Sequence, residues 1–163
     1  MKSVRYISLL LAGASSLAAF AAGDLDAEYG GWKFEMSSTK KMTITQDGKK
    51  LLTGVTMTAL DPNDTELQSD KYSTVTKKEE DVNDAFGQGR RFTWRYTNAG
   101  SPTLEQIVTV YPTLPYALFE GAVVATSGTT SSRQINPIVA STTNTQTKPT
   151  ADNPVYNMPF GKE

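Results

Sequence analysis

The chain has 163 residues, a formal net charge of −1, and neither cysteine nor histidine. The missing thiol and imidazole groups exclude disulfides, cysteine nucleophiles, Ser-His-Asp triads and histidine-ligated metal sites. The absence of cysteine also excludes a lipid-anchored lipoprotein, and no cofactor is expected.

The first 22 residues have the three-part order of a secretory signal peptide. Lys2 and Arg5 precede an apolar run that ends in small residues, and we expect cleavage after Ala21 or Ala22. The apolar run is shorter than the ~20 residues that a membrane-spanning helix needs. Because the leader carries two basic residues, its removal changes the net charge from −1 to about −3. The mature chain is therefore predicted to be secreted or periplasmic, without a nucleic-acid partner or membrane association.

The mature chain begins with segments typical of strands. Residues 24–31 are expected to form a polar lead-in, and residues 32–36 alternate apolar and polar side chains as a half-buried strand does. Residues 41–46 and 51–60 flank Asp47-Gly48, a dipeptide that tolerates the positive φ values of a tight hairpin turn. A strand followed by a β-hairpin is therefore predicted.

The next segments are predicted from turn chemistry and charge. Asp61-Pro62-Asn63-Asp64 has the composition of a turn, and no full calcium-binding loop with a bidentate glutamate at the proper spacing follows it. Residues 72–77 are a plausible strand. The charge run at residues 77–81 is expected to be a solvated loop or a strand end.

The second half of the chain is also predicted to be strands. Phe92, Trp94 and Tyr96 alternate with polar residues, so they share one face of a strand. Further strands are predicted at residues 104–111, 116–125 and 134–141, followed by a surface loop from residue 142. With seven to nine strands and no convincing helix, residues 23–163 are predicted to form one all-β domain, an antiparallel β-sandwich.

The segment DAFGQGRR, residues 84–91, has two glycines and two arginines that could in principle cradle a phosphate. A phosphate-binding glycine loop leads into a helix whose N-terminal amides face the anion. Residues 90–96 alternate like a strand, so a nucleotide site is not supported. We interpret the segment as a tight turn, which could also present Asp84, Arg90 or Arg91 to a partner.

Two further groups of residues could carry chemistry. Glu105 and Glu120 are the carboxylates to consider for a glycosidase pair, but nothing local ties them together, and a solvent-facing role is expected for both. Several aromatic residues could form a platform for sugar rings, although packing in the core is the simpler interpretation. These aromatic residues are Trp32, Trp94, Tyr96, Tyr111 and Tyr116. The candidates retained for carbohydrate binding are Asp84, Arg90, Arg91 and Trp94.

The order of several short motifs resembles a known family. The motifs are Asp84-Ala85-Phe86-Gly87-Gln88-Gly89-Arg90-Arg91-Phe92, Leu104-Glu105-Gln106, Tyr111-Pro112, Leu114-Pro115-Tyr116 and Ile135-Asn136-Pro137-Ile138. Together they resemble the N-terminal β-sandwich of the secreted α-galactosidase and raffinose-synthase clan of glycoside hydrolases, over roughly residues 30–160. Met158-Pro159-Phe160 is similar to the segment that leads to the catalytic barrel in that clan, whereas Gly161-Lys162-Glu163 departs from it.

The resemblance implies a galactose-mutarotase-like supersandwich that is incomplete at its C-terminus. In such enzymes the two catalytic aspartates lie in a downstream (β/α)₈ barrel, so no catalytic residue and no metal ligand is transferred to this chain. The implied function is that of a non-catalytic domain of a retaining glycosidase, with the barrel as its partner in cis. The residues 84–91 and 153–160 are expected to lie toward that barrel or a subunit partner. A free-standing carbohydrate-binding or structural sandwich is the alternative.

Overall fold

The computed structural model describes residues 24–61, 63–125, 132 and 134–140. The predicted signal peptide, the predicted loop from residue 142 and the segment 153–160 lie outside the described residues. The described part of the chain has ten strands and one 3₁₀ turn, which confirms the predicted all-β class. No helix in that part is long and apolar enough to cross a membrane.

The strands form two antiparallel sheets. In chain order they are β1 (Ala27–Tyr29), β2 (Trp32–Met36), β3 (Met42–Gln46), β4 (Lys49–Leu60), β5 (Glu66–Gln68), β6 (Thr74–Asp84), β7 (Gly87–Thr97), β8 (Thr103–Val110), β9 (Ala117–Val124) and β10 (Gln134–Val139). The first sheet has the order β1-β2-β3-β4-β10, with β5 also paired to β4, and the second has the order β6-β7-β8-β9. Their apolar faces pack together, so the predicted antiparallel β-sandwich is confirmed.

The hairpin between β3 and β4 forms where turn chemistry predicts it. Asp47 and Gly48 adopt φ values of 49° and 76° and reverse the chain in two residues. Within β4, Gly54 adopts a φ of 67°, next to a register shift between β3 and β4. A β-bulge of this kind uses glycine because its backbone reaches positive φ without steric cost.

The core is built around aromatic side chains from both sheets. Phe34 of β2 is fully buried, and its ring lies 6.0 Å from Phe92, 5.9 Å from Trp94 and 6.2 Å from Phe119. Trp32 stacks on Phe34 at 6.3 Å. Tilted and edge-to-face pairs at these distances add to the free energy gained by burying the rings, so this cluster helps to hold the two sheets together.

The N-terminal segment covers one open side of the sandwich. The carbonyl of Leu25 accepts a hydrogen bond from Trp94 Nε1 at 2.8 Å, and the carbonyl of Asp26 accepts one from Lys77 Nζ. Asp26 Oδ1 in turn accepts from the backbone N–H of Met36 at 2.8 Å. The predicted polar lead-in is thus ordered, and it contains β1, which the sequence pattern missed because the strand has only three residues.

A buried glutamine joins the sheets at the opposite side. Gln106 Oε1 accepts a hydrogen bond from the Tyr96 hydroxyl at 3.1 Å, and Gln106 Nε2 donates to the Pro137 carbonyl of β10 at 2.6 Å. Burial raises the pKa of Tyr96 far above its ordinary value, so this hydroxyl keeps its proton. Pro137 lies at a register shift between β10 and β4, where a strand tolerates a residue without an N–H.

Two predictions about the middle of the chain need correction. The strand predicted at residues 72–77 is β6, Thr74–Asp84, and the charge run at residues 77–81 lies in its centre rather than in a loop or at a strand end. The charges are tolerated there because cross-strand neighbours neutralise them, as Arg90 does for Asp81 at 3.0 Å. Cross-strand ion pairs of this kind override the low strand propensity of lysine and glutamate.

Candidate functional site

A concavity in the described residues lies between β1 and the hairpin of β6 and β7. Its volume is about 330 Å³, within the range of small-molecule clefts. The lining residues are Tyr29, Asp81, Val82, Asn83, Gln88 and Gly89. We call this concavity the hairpin cleft. It is polar except for the tyrosine ring and one valine.

The hairpin cleft owes its polar side to the register of β6 and β7. Asp81 lies opposite Arg90, and Asn83 lies opposite Gln88, because the two strands are joined by the tight turn Ala85-Phe86. These side chains follow the same face as Phe92 and Trp94, since alternate residues of a strand share a face. Beyond the end of the aromatic core, that face therefore becomes a row of amide, carboxylate and guanidinium groups.

Arg90 fixes the aromatic wall of the hairpin cleft. Its guanidinium carbon lies 5.0 Å from the centroid of the Tyr29 ring, a cation–π distance. Nη2 and Nε of Arg90 both donate to Asp81 Oδ1, at 3.0 and 3.2 Å, and Nη1 lies 4.0 Å from Glu79. The arginine thus orients both a ring and a carboxylate. The Asp81 side chain remains 81% exposed and can be reached by a solute.

A second recess adjoins the hairpin cleft along β6. It has a volume of about 250 Å³ and is lined by Glu79, Glu80, Asp81 and Arg90. Each of the three carboxylates has a basic partner, since Lys77 Nζ lies 2.8 Å from Glu79, Lys78 pairs with Glu80, and Arg90 pairs with Asp81. The charges of this recess are therefore compensated within the chain, and its polar groups suit a neutral ligand.

The structure does not bring the four sequence-predicted candidates together. Arg90 borders the hairpin cleft, whereas Arg91 points to the other face of β7, where Nε donates to Thr109 Oγ1 at 3.2 Å and Nη1 lies 3.7 Å from Glu80. Trp94 is fully buried in the core, with no ring surface open to a sugar. The core interpretation of Trp94 is thus the one that its burial supports.

Asp84 is held in the hairpin turn by two hydrogen bonds. Its Oδ2 accepts from the Tyr111 hydroxyl at 2.6 Å, and its Oδ1 accepts from the backbone N–H of Phe86 at 2.9 Å. The Tyr111 hydroxyl first, and then the Phe86 N–H, lower the pKa of the Asp84 carboxyl below its ordinary value. The tight-turn interpretation of residues 84–91 is confirmed, and Asp84 serves as its anchor.

Replacing Tyr111 by phenylalanine is expected to make the free energy of unfolding change less with pH in the acidic range. A carboxyl whose pKa is lower in the folded state stabilises the fold above its unfolded pKa, and this contribution is lost as the pH falls through the folded value. The stability difference between wild type and Y111F should therefore be present at pH 7 and shrink below about pH 4. Urea denaturation across pH measures it. Y116F is the control, and a Y111F difference that is constant from neutral to acid pH would contradict the role of Asp84.

The remaining candidate groups have structural surroundings. Register places Glu105 opposite Ala122 and Ile107 opposite Glu120, so the two glutamates lie diagonally on the outer face of the second sheet. Glu105 lies on that outer face, partly buried and bound by Arg95 at 2.7 Å, and Glu120 is exposed.

The turn after β4 is organised by its own first residue. Asp61 Oδ1 accepts from the backbone N–H groups of Asn63 and Thr65, both at 2.8 Å, which confirms a turn at this position; Pro62 lies outside the described residues. Among the residues that the structure describes, no group of three or more acidic side chains is arranged to hold a metal ion.

The aromatic residues considered as a sugar platform are mostly core. Trp32, Trp94, Tyr96 and Tyr111 are buried, as the simpler interpretation predicted. Tyr116 differs, with 45% of its surface exposed. The aromatic ring that lines a cleft is instead Tyr29, which was not a sequence candidate.

Sequence reasoning missed four residues of the hairpin cleft. Asp81 lay in the charge run, Asn83 and Gln88 flanked the turn, and Tyr29 belonged to the polar lead-in. A hairpin centred on Ala85-Phe86 would have placed Asn83 opposite Gln88. No sequence signal would have brought Tyr29 to them, because its contact with Arg90 is long-range.

No family model, curated protein or solved structure matches this chain. The function of the hairpin cleft is therefore inferred from the chemistry of the residues that line it.

Proposed function

We propose that this chain is the non-catalytic N-terminal sandwich domain of a secreted glycoside hydrolase that acts on α-galactosides or related glycans, and that it binds carbohydrate in the hairpin cleft. The finer fold expected from the resemblance, a galactose-mutarotase-like supersandwich completed by downstream residues, belongs to the same proposal. The observation that carries the binding part is the combination of one aromatic ring with amide and carboxylate groups in a cleft of about 330 Å³.

The chemistry of the hairpin cleft suits a neutral sugar. A sugar ring offers apolar C–H faces to an aromatic side chain and hydroxyl groups to polar ones. Tyr29 supplies the ring, Asn83 and Gln88 supply amides that both donate and accept, and Asp81 supplies an acceptor.

The carboxylates along β6 do not form a glycosidase pair in this proposal. Retaining and inverting enzymes need one carboxyl that donates a proton and a second that acts as nucleophile or base. Glu79 and Asp81 both face the same guanidinium of Arg90, so they form an ion-pair cluster. Catalysis is therefore assigned to the downstream barrel, which the resemblance implies and which this chain does not contain.

Carbohydrate binding by the mature chain tests the proposal. Saturation-transfer NMR and titration calorimetry with galactose and raffinose are expected to show weak binding of both neutral sugars. Y29A and N83A should each weaken binding by about tenfold, since a stacking ring or a hydrogen bond to the ligand contributes about 1 kcal/mol. Y116A, which removes an exposed tyrosine outside the hairpin cleft, should bind as wild type does.

Two results would contradict the proposal separately. Absence of binding for every sugar, or equal loss in Y29A and Y116A, overturns the sugar site. A stop codon directly after codon 163 overturns the enzyme part and leaves a free-standing sandwich. A reading frame that continues into alternating strands and helices supports it.

A further inference from the structure

Strand β6 has a long open edge. Its eleven residues pair with β7 along their whole length, from Thr74 opposite Thr97 to Asp84 opposite Gly87. On its other side β6 has no strand partner among the described residues. At about 3.3 Å per residue, the open edge is roughly 36 Å long, which is unusual for a monomer because free strand edges invite pairing.

Two common protections of an edge strand, proline and a β-bulge, are missing from β6. Its sequence, TVTKKEEDVND, contains no proline, and its register to β7 has no bulge. What remains is charge, which prevents edge pairing only where the incoming strand brings like charges together. The order of the charges therefore decides which strand β6 repels and which it accepts.

The charge order of β6 is complementary to itself. When two copies pair antiparallel about Glu79, Lys77 of each lies opposite Asp81 of the other, and Lys78 lies opposite Glu80. A two-fold axis perpendicular to the sheet leaves the inner faces of both copies on the same side of the joined sheet. Odd-numbered residues then lie opposite odd-numbered ones and even opposite even, as this pairing requires. Four lysine positions thus face four carboxylate positions across the two copies.

The one like-charged pair of this arrangement, Glu79 with its copy, is already neutralised within each chain. Glu79 Oε1 lies 2.8 Å from Lys77 Nζ, and Glu79 Oε2 lies 4.0 Å from Arg90 Nη1. Of the two kinds of pair, Lys78 with Glu80 is more accessible to a second copy than Lys77 with Asp81. The Lys78 and Glu80 side chains are 23% and 35% exposed, whereas the Lys77 side chain is 9% exposed.

We propose that β6 is a homodimerisation edge, and that two copies of this chain join their four-stranded sheets into one continuous eight-stranded sheet through antiparallel pairing of β6 about Glu79. The partner of this edge is β6 of a second copy, because the charges of the two β6 strands are complementary residue for residue. This inference does not depend on the proposed function.

Sedimentation equilibrium of the full mature chain at low ionic strength tests the dimer. Wild type is expected to be dimeric at about 100 µM. K78E places two glutamates opposite each other at two positions, and it should raise the dimer dissociation constant by about tenfold or more. The double variant K78E/E80K restores opposite charges at both positions and should restore the dimer, which a general loss of folding would not allow.

The chain offers a matched control. Lys33 and Glu35 of β2 form an ion pair at 2.7 Å with the same two-residue spacing, and they lie on the other sheet. K33E should therefore leave the dimer unchanged. A monomeric wild type, a K78E/E80K variant that stays monomeric, or equal dissociation in K33E and K78E would each overturn the proposal.

Discussion

Replacing Phe34 by alanine is expected to lower the free energy of unfolding by about 3–5 kcal/mol. The ring is fully buried and contacts aromatic rings of both sheets, so its removal leaves a cavity where the sandwich is held together. For a domain of this size the melting temperature should fall by about 10 °C or more. Chemical denaturation of the mature chain at neutral pH measures the change.

The exposed Phe86 is the control for that experiment. It is 51% exposed, and its ring lies 5.5 Å from the Tyr111 ring. F86A should therefore cost less than about 1 kcal/mol, because it creates no enclosed cavity. If F34A cost no more than F86A, the aromatic cluster would not hold the two sheets together.

Replacing Gly89 by alanine is expected to lower the free energy of unfolding by about 2–3 kcal/mol. A Cβ atom at this position would lie 2.6 Å from the carbonyl oxygen of Val110 and 2.7 Å from the Tyr111 ring. The backbone contact cannot be relieved by a rotamer change, so either β7 or Tyr111 has to move. Movement of Tyr111 would also break its hydrogen bond to Asp84.

Two comparisons make the Gly89 experiment specific. Gly100 has a φ of 75° and no atom within 4 Å of an added Cβ, so G100A should cost only the backbone strain of about 1 kcal/mol. G89A and Y111F should also be non-additive, because both remove the bond to Asp84. Additive effects in the double variant would show that Gly89 does not position Tyr111.

The fold was predictable where local chemistry decides the structure. The Asp47-Gly48 hairpin follows from the positive φ values that these residues tolerate, and the buried face of β7 follows from the alternation of Phe92, Trp94 and Tyr96. Strand β6 was underestimated because lysine, glutamate and aspartate are poor strand formers in isolation. Their stabilisation by Arg90 and Arg91 becomes visible only once the hairpin register is known.

The candidate site was less predictable than the fold for a related reason. Tyr29 and Asp81 are far apart in sequence, and they meet because the N-terminal segment folds across the open side of the sandwich. Arg90 was the one sequence candidate that borders the hairpin cleft. Trp94 looked like a ligand platform from composition, but the same alternation that made it conspicuous directs it into the core.

The hydrogen bond between Trp94 and the Leu25 carbonyl gives the chain an optical reporter. Only two tryptophans are present, and both are buried, so a W32F variant isolates the emission of Trp94. Detachment of the N-terminal segment would admit water to the indole and move this emission to longer wavelength before the sandwich unfolds. Local opening at the N-terminus can thus be followed separately from global denaturation, without any attached label.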